Sequence, residues 1–138
     1  MVQRRLCFGE MVYISKVYTK FGDAGETMLA SGDTVSKSSD RVEAYGEVDE
    51  LNATVGLLRL ELSRAGECAE AQFPSTLDEM MGRVQQELFN LGAELATAAP
   101  ESDPPKLRID DRHVEALEHD IDALNEALEP LKSFILPG

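Results

Sequence analysis

The chain has 138 residues, 43% of them hydrophobic, and a formal net charge of -13. This length fits one domain with a modest core, and the negative charge excludes partners that are themselves polyanions, so we expect no nucleic acid and no anionic membrane surface. The two cysteines, Cys7 and Cys68, belong to no CxxC pair or Cys/His array. We therefore expect free thiols in a cytoplasmic protein, with no disulfide and no zinc site.

The N-terminal residues 1–16 include arginines but no apolar run long enough for a signal peptide or a membrane span. We interpret them as a flexible extension, with Met11 as an alternative start and an organelle presequence as a further alternative. The domain itself is assigned to residues 17–138. A β-prone run covers Val12–Tyr18, and the Gly-, Ser- and Asp-rich segment after it, as far as about Asp40, predicts an ordered loop without regular periodicity.

Apolar residues at steps of three and four then predict the first helix, from about Asp40 to Arg64, with Ser39 or Asp40 as its cap. The second helix is predicted to open with a capping box formed by Thr76 and Glu79. It ends where three prolines follow Thr97 within a few positions, because proline cannot continue a helix.

Asp110 or Asp111 is predicted to cap the third helix, whose apolar stripe is nearly a pure heptad. Three amphipathic helices without strand alternation between them specify an all-α fold, an up-and-down helical bundle preceded by the irregular loop. The stripe residues expected in its core are Val48, Leu51, Val55, Leu58, Leu62, Leu77, Met81, Val84, Leu88, Leu91, Leu95, Val114, Leu117, Ile121, Leu124, Leu128 and Leu131. The apolar triplet Phe134-Ile135-Leu136 needs a cover, from an oligomer or from further chain.

The stretch TKFGDAGET, from Thr19 to Thr27, suits either a simple turn or a bound phosphate. Its two glycines allow positive φ and close approach of backbone N–H groups, its lysine supplies charge, and its threonines supply hydroxyl donors. A Walker motif is absent. Downstream residues that can reach the same anion are Ser36, Lys37 and Arg41, and with them the turn and the ligand site are equally good interpretations.

Acidic residues and histidines give weaker signals. We read Glu43, Glu47 and Glu50 as a solvated helix face, whereas Asp49 adjoins the apolar stripe and is expected to have a cationic partner. The two histidines, His113 and His119, are six positions apart and are expected at the surface, so we predict no metal site.

Four blocks occur in a fixed order: YTKFGDAGETML, SKSSDRVEAYGEVDELN, LFNLGAELAT and FILPG. Together they resemble the ATP:cob(I)alamin adenosyltransferases of the propanediol-utilisation type, a family that also includes the mitochondrial enzyme of cobalamin metabolism. The resemblance extends from about Val17 to Gly138, and VEAYGEVDELN is its most specific block. It implies a five-helix bundle and a homotrimer in which each active site lies between two subunits.

The resemblance also implies that the N-terminal loop wraps ATP. The residues it places at the nucleotide are Thr19, Lys20, Phe21, Gly22, Thr27, Met28, Ser36 and Lys37. Asp23 and Gly25 would shape the loop. Phe21 departs from the polar residue often found in the family, but its backbone can still serve.

The implied reaction is attack of cobalt(I) of the reduced corrinoid on C5′ of ATP, with inorganic triphosphate leaving. The expected ligands are ATP, Mg²⁺ and cobalamin, and a corrinoid reductase is an expected partner. Phe134 matches an apolar residue that fills the lower face of the corrinoid, where removal of the axial donor makes cobalt(II) easier to reduce. Asp49 matches a carboxylate that pairs with an arginine of the neighbouring subunit. These two are the expected catalytic residues, and Arg41 and Asn52 are assigned with them to the cobalamin pocket or the subunit interface.

The family continues beyond FILPG with an Arg-rich helix and a last helix, neither of which lies in residues 1–138. We therefore expect a truncated chain or a fragment, with little transferase activity alone. The alternative is a non-catalytic module of the same descent, a helical bundle for protein interaction or nucleotide binding.

Overall fold

A computed structural model describes residues 18–68, 73–98, 108–126 and 128–136. The elements are two short strands, β1 (Glu26–Met28) and β2 (Thr34–Ser36), followed by three helices, α1 (Asp40–Cys68), α2 (Phe73–Leu95) and α3 (Asp111–Asn125). The predicted all-α class is confirmed. Within these ranges no helix is long and apolar enough to cross a membrane. The extension 1–16 and nearly all of the Val12–Tyr18 run lie outside the described residues.

The segment before α1, predicted as an ordered loop without regular periodicity, contains a short β-hairpin. The strands β1 and β2 are antiparallel, with Thr27 opposite Val35 at the centre. The hairpin turn places Gly32 at φ 92°, a conformation that glycine adopts without steric cost. Strands of three residues are too short to show a period of two in the sequence, which is why the pattern missed them.

The helices α1 and α2 form an antiparallel pair. Arg41 near the start of α1 contacts Leu95 at the end of α2, and Arg59 further along α1 contacts Asp78 near the start of α2. The predicted start of α1 at Asp40 is confirmed. The predicted capping box of α2 is wrong, because the helix begins at Phe73, three residues before Thr76. A proline in the first turn, here Pro74, is compatible with this earlier start because its missing N–H would have no intrahelical partner.

A polar network crosses the interface between α1 and α2. Arg59 donates from Nε and Nη2 to the two carboxylate oxygens of Asp78, at 2.7 and 3.0 Å, and from Nη1 to Oε1 of Gln85 at 2.9 Å. Gln85 in turn donates from Nε2 to the main-chain oxygen of Asn52 at 3.1 Å. The hydrogen bonds to Asp78 raise the pKa of Arg59, and partial burial acts in the opposite direction.

Two glycines make room for this network. A Cβ atom at Gly82 would lie 3.3 Å from Cζ of Arg59, and a Cβ atom at Gly56 would lie 3.2 Å from Nε2 of Gln85. Both distances are tighter than ordinary carbon contacts. The absence of side chains at these two positions therefore lets the guanidinium and the amide lie between the helices.

The start of α3 is fixed by a cap, as predicted. Asp110 precedes the helix and its carboxylate accepts the N–H of Arg112 at 3.1 Å, while Nδ1 of His113 accepts the N–H of Asp110 at 3.1 Å. The Arg112 side chain, which donates to both carboxylate oxygens, lowers the pKa of Asp110 to about 2. His113 is therefore a half-buried capping residue and not the surface histidine that we predicted, whereas His119 is exposed as expected.

The stripe of α3 does not continue as far as predicted. The helix ends at Asn125, Glu126 donates its N–H to the carbonyl of Asp122, and Leu128 and Leu131 lie beyond it with exposed side chains. Pro130 would also prevent α3 from reaching Leu131, because proline lacks an N–H and disfavours helical geometry in the residue before it.

Ionic and polar contacts attach α3 to α2. Arg83 donates to Glu87 on its own helix at 2.7 Å and to Asp120 on α3. The hydrogen bond to Glu87 is the largest cause of the raised pKa of Arg83, opposed by burial and reinforced by Asp120. Just before α3, the N–H of Ile109 donates to Oε2 of Glu94 at 2.9 Å.

The described residues form a small core. Leu29, at the base of the hairpin turn, is the one hydrophobic residue among them that is buried, at 6% exposure. The prediction that every stripe residue is core is wrong, because three helices cannot cover both sides of one another's apolar stripes. The stripe residues that are exposed here are Leu51, Leu58, Val114, Leu117, Ile121, Leu128 and Leu131.

Candidate functional site

The loop before the hairpin brings together Gly22 and Lys37, two of the residues that the sequence analysis assigned to the nucleotide. A Cβ atom built on Gly22 would lie 2.8 Å from both Cε and Nζ of Lys37, and 2.9 Å from the main-chain oxygen of Glu26. The N–H of Lys37 donates to the carbonyl of Gly25 at 2.9 Å and closes the loop. The lysine ammonium therefore lies against the backbone of Gly22, a position that only glycine leaves open.

The backbone of this loop turns twice within a few residues. Asp23 donates its N–H to the carbonyl of Lys20 at 3.3 Å, and Gly25 donates to the carbonyl of Gly22 at 3.2 Å. Gly25 has φ 88°, and Lys20 has φ 61°, which is uncommon for a residue with a Cβ atom. A residue held in such a conformation is a recognised mark of a functional loop. Thr19 supports the turn because its hydroxyl accepts the N–H of Phe21 at 3.4 Å.

The remaining predicted ATP residues lie on the same loop and on the hairpin strands. Phe21 and Met28 have largely exposed side chains, Thr27 is half-buried in β1, and Asp23 is exposed. Ser36, at the end of β2, shares a hydrogen bond with the hydroxyl of Ser38 at 2.9 Å.

Two lysine charges are available on this loop. Within the described ranges, neither Lys20 nor Lys37 forms an ion pair or a side-chain hydrogen bond. In a chain with a net charge of -13, two cations beside a glycine-rich turn are a local concentration of positive charge, which is favourable for an anion.

Arg41 has a different partner from the one we expected. Its Nη1 atom donates to the carbonyl oxygen of Leu95, at the end of α2, at a distance of 2.7 Å. We expected Arg41 to reach the same anion as Lys20 and Lys37, and this bond to Leu95 was not predicted. A main-chain carbonyl has no signature in a sequence, so no signal could have indicated it.

A groove of about 330 Å³ runs between α1 and α2. Asp49 and Asn52 line it from α1, and Phe89, Gly92 and Ala96 line it from α2. Its walls are mostly apolar, and its polar atoms include the carboxylate of Asp49. The predicted position of Asp49 at the edge of the helix stripe is confirmed.

Asp49 and Asn52, which line the groove from α1, have side-chain acceptors without donors among the described residues. Asp49 forms no ion pair with another described residue, so its expected cationic partner is not among them. The Oδ1 atom of Asn52 is buried and has no hydrogen-bond partner in the part of the chain that the structure describes. Buried acceptors are normally paired, so this edge of the groove is suited to a group that donates hydrogen bonds. The exposed face expected for Glu43, Glu47 and Glu50 is confirmed.

Phe134 lies apart from both the loop and the groove. Its side chain is fully exposed, at 107%, in the non-helical segment 128–136, and the hollow of about 460 Å³ that it lines includes only neighbours in that segment. A role as a core residue of the described fold is therefore wrong. Its assignment to the cobalamin site stays a prediction.

Residues 18–68, 73–98, 108–126 and 128–136 include no group of three or more His, Cys, Asp or Glu that could hold a metal ion. Tyr45 and Phe89 also line the groove, and neither was predicted from the sequence. Which residues face the groove depends on how α1 and α2 pack against each other.

Comparison with known proteins identifies the family. The sequence model of the cobalamin adenosyltransferase family matches residues 17–138. The corrinoid adenosyltransferase PduO of Salmonella typhimurium is 42% identical over 122 residues, which are 88% of this chain and 33% of that protein. The corrinoid adenosyltransferase of Bacillus subtilis is 41% identical over 123 residues, covering 89% of this chain and 58% of that protein.

Solved structures agree. A variant of the PduO-type ATP:corrinoid adenosyltransferase from Lactobacillus reuteri, complexed with cobalamin and ATP, is 33% identical and superimposes with a TM-score of 0.72, covering 89% of this chain and 64% of that one. The chain thus spans between a third and somewhat under two thirds of these relatives. It belongs to the cobalamin adenosyltransferase family.

Proposed function

We propose that this chain binds ATP at the loop from Thr19 to Lys37 and serves the transfer of the 5′-deoxyadenosyl group of ATP to a reduced corrinoid. The products are adenosylcobalamin and triphosphate. The observation that carries the proposal is the Lys37 ammonium held against Gly22, in a chain of this family. A structural relative complexed with cobalamin and ATP supports the choice of ligands.

The reaction is a nucleophilic substitution. The electron pair of cobalt(I) forms a bond to C5′ of ATP, the bond from C5′ to its ester oxygen breaks, and triphosphate leaves with the electron pair of that broken carbon–oxygen bond. Negative charge grows on the triphosphate in the transition state, so fixed positive charges near it lower the barrier. We assign this task on the present chain to Lys37 and Lys20.

The rest of the loop would position the nucleotide. The hydroxyls of Thr19, Thr27 and Ser36 can donate to phosphate oxygens, and the exposed side chains of Phe21 and Met28 offer apolar surface to the base. Mg²⁺ usually accompanies ATP and binds mainly to its phosphate oxygens and water. That mode does not require a cluster of protein carboxylates around the ion.

The groove and the C-terminal segment would form the corrinoid side of the site. Asp49 and the Oδ1 atom of Asn52 offer acceptors to an arginine or amide donor, and Phe134 offers an apolar ring for the lower face of the corrinoid. We propose that the donor comes from a neighbouring subunit in a homotrimer. The exposed apolar residues of α1 and α3 support such an assembly, because a monomer seldom leaves so many uncovered. We further propose a cytoplasmic location and a corrinoid reductase as electron donor, since cobalt(I) must be generated beside the enzyme.

Calorimetric titration with ATP tests the proposal. The unmodified chain should bind ATP, Lys37→Ala should bind it about tenfold more weakly because a charge-assisted contact is lost, and Lys132→Ala should bind it as before. Lys132 carries the same charge on the exposed C-terminal segment and is thus the matched control. Failure of the unmodified chain to bind ATP would contradict the proposal, as would equal binding by Lys37→Ala.

A further inference from the structure

The hairpin and the start of α1 are attached to the same end of α2. The N–H of Ala30, in the hairpin turn, donates to the carbonyl of Ala96 at 2.9 Å. Nη1 of Arg41, in the first turn of α1, donates to the carbonyl of Leu95 at 2.7 Å. Leu29, beside Ala30, is the buried residue of the hairpin. The two bonds thus hold two separate parts of the chain on adjacent carbonyls.

These carbonyls are suited to hold a cation. Ala96 donates its N–H to the carbonyl of Gly92, and Thr97 donates its N–H to the carbonyl of Glu94. The carbonyls of α2 that accept these bonds therefore precede those of Leu95 and Ala96. Carbonyl groups at a helix C-terminus have no intrahelical partner and carry partial negative charge. A guanidinium that donates to one of them forms a charge-assisted bond, which is shorter and stronger than a neutral one.

Lys37 lies between the two attachments. The chain runs from Ala30 through β2 to Lys37, and then through the turn in which Ser39 donates to the carbonyl of Ser36, before it reaches Arg41. Lys37 itself donates its N–H to the carbonyl of Gly25, in the loop before the hairpin. The position of the Lys37 ammonium over Gly22 therefore depends on how firmly both ends of this segment are held.

We propose that Arg41 is a positioning residue for the nucleotide: it acts through the carbonyl of Leu95 to hold Lys37 over Gly22, and it does not touch ATP itself. This inference rests on the proposed function, in which the loop binds ATP. It departs from the expectation that Arg41 reaches the same anion as the two lysines.

Three variants of the full chain test this role. Arg41→Met removes the donor and keeps most of the side-chain length, Arg41→Lys restores a cationic donor, and Arg64→Met removes an exposed arginine of α1 whose partner is Glu61 on the same helix. Hydrogen exchange of the hairpin amides, Glu26 to Ser36, should be faster in Arg41→Met than in the unmodified chain and in Arg64→Met. ATP affinity should fall about fivefold in Arg41→Met, as expected for one hydrogen bond, and Arg41→Lys should recover most of it.

The outcomes separate this inference from the proposed function. If the unmodified chain does not bind ATP, the proposed function fails, and the positioning role with it. If it binds ATP and Arg41→Met binds equally well, the proposed function stands and the positioning role is overturned. Weaker ATP binding by Arg41→Met with unchanged exchange in the hairpin would indicate a direct contact to phosphate, which also overturns it.

Discussion

The polar network between α1 and α2 gives a sharp test of what holds this helix pair together. Arg59→Met removes the guanidinium, keeps the aliphatic part of the side chain, and preserves helix propensity. A hydrogen bond to a charged group is worth about 1.5 to 3 kcal/mol when protected from water. The side chains of Arg59 and Asp78 are 36% and 39% exposed, however, so solvent screening reduces the pair to about 1 kcal/mol. Loss of the donor to Gln85 adds about 0.5 kcal/mol.

We therefore expect Arg59→Met to lower the free energy of unfolding by about 1.5 kcal/mol, or the melting temperature by about 3 to 6 °C. Urea denaturation followed by far-ultraviolet circular dichroism measures the change. The matched control is Arg64→Met, whose pair with Glu61 is 63% and 65% exposed and should contribute less than about 0.5 kcal/mol. If the two variants lose the same stability, the network contributes no more than an ordinary surface ion pair, and our account of the interface is wrong.

Three further outcomes follow from single side chains. Gly22→Ala should weaken ATP binding about tenfold, because its Cβ would displace Lys37 and meet the rigid carbonyl of Glu26, whereas Ser31→Ala in the hairpin turn should not; calorimetry measures both. Phe134→Ala should change the free energy of unfolding by less than about 0.5 kcal/mol in urea titrations, because the ring packs on no described helix. Because the pKa of Asp110 is depressed in the folded state, its contribution to the free energy of unfolding is present above pH 4 and is lost as the pH falls towards 2. Asp110→Asn should therefore flatten the dependence of helix content on acid pH, measured by circular dichroism.

The helices were predictable because their signals are local. The apolar period, with Ser39 or Asp40 as the cap, indicated the start of α1. Residue type left Asp110 and Asp111 as alternative caps of α3, and the structure shows Asp110 in this position. The start of α2 was not predicted correctly, because Thr76 and Glu79 have the spacing of a capping box whether they begin a helix or lie inside one. The motif itself does not distinguish these two positions.

The core could not be predicted from the same period. A stripe such as Val114, Leu117 and Ile121 shows which face of a helix is apolar, but not whether the described chain provides a neighbour for it. The strands of the hairpin could not be predicted for a different reason: three residues are too few to show the alternation of apolar and polar side chains that is typical of a strand.

For the candidate site, the positions of charged residues and glycines in the sequence indicated the loop, whereas hydrogen bonds to main-chain atoms could not be predicted. A cation and a glycine-rich turn in an acidic chain suggested that Lys37 and Gly22 serve one anion, and the structure places these two residues in contact. The bond from Arg41 to the carbonyl of Leu95 could not be, because any residue supplies a carbonyl. The groove beside Asp49 likewise required the actual register of α1 against α2.

Photolabelling with an azido analogue of ATP, followed by mass spectrometry of the labelled peptides, tests the central claim most directly. The account predicts that the label falls on the segment from Tyr18 to Arg41, that unlabelled ATP competes for it, and that Lys37→Ala reduces it. Label confined to other parts of the chain, or insensitive to competing ATP, would contradict the assignment of this loop as the nucleotide site.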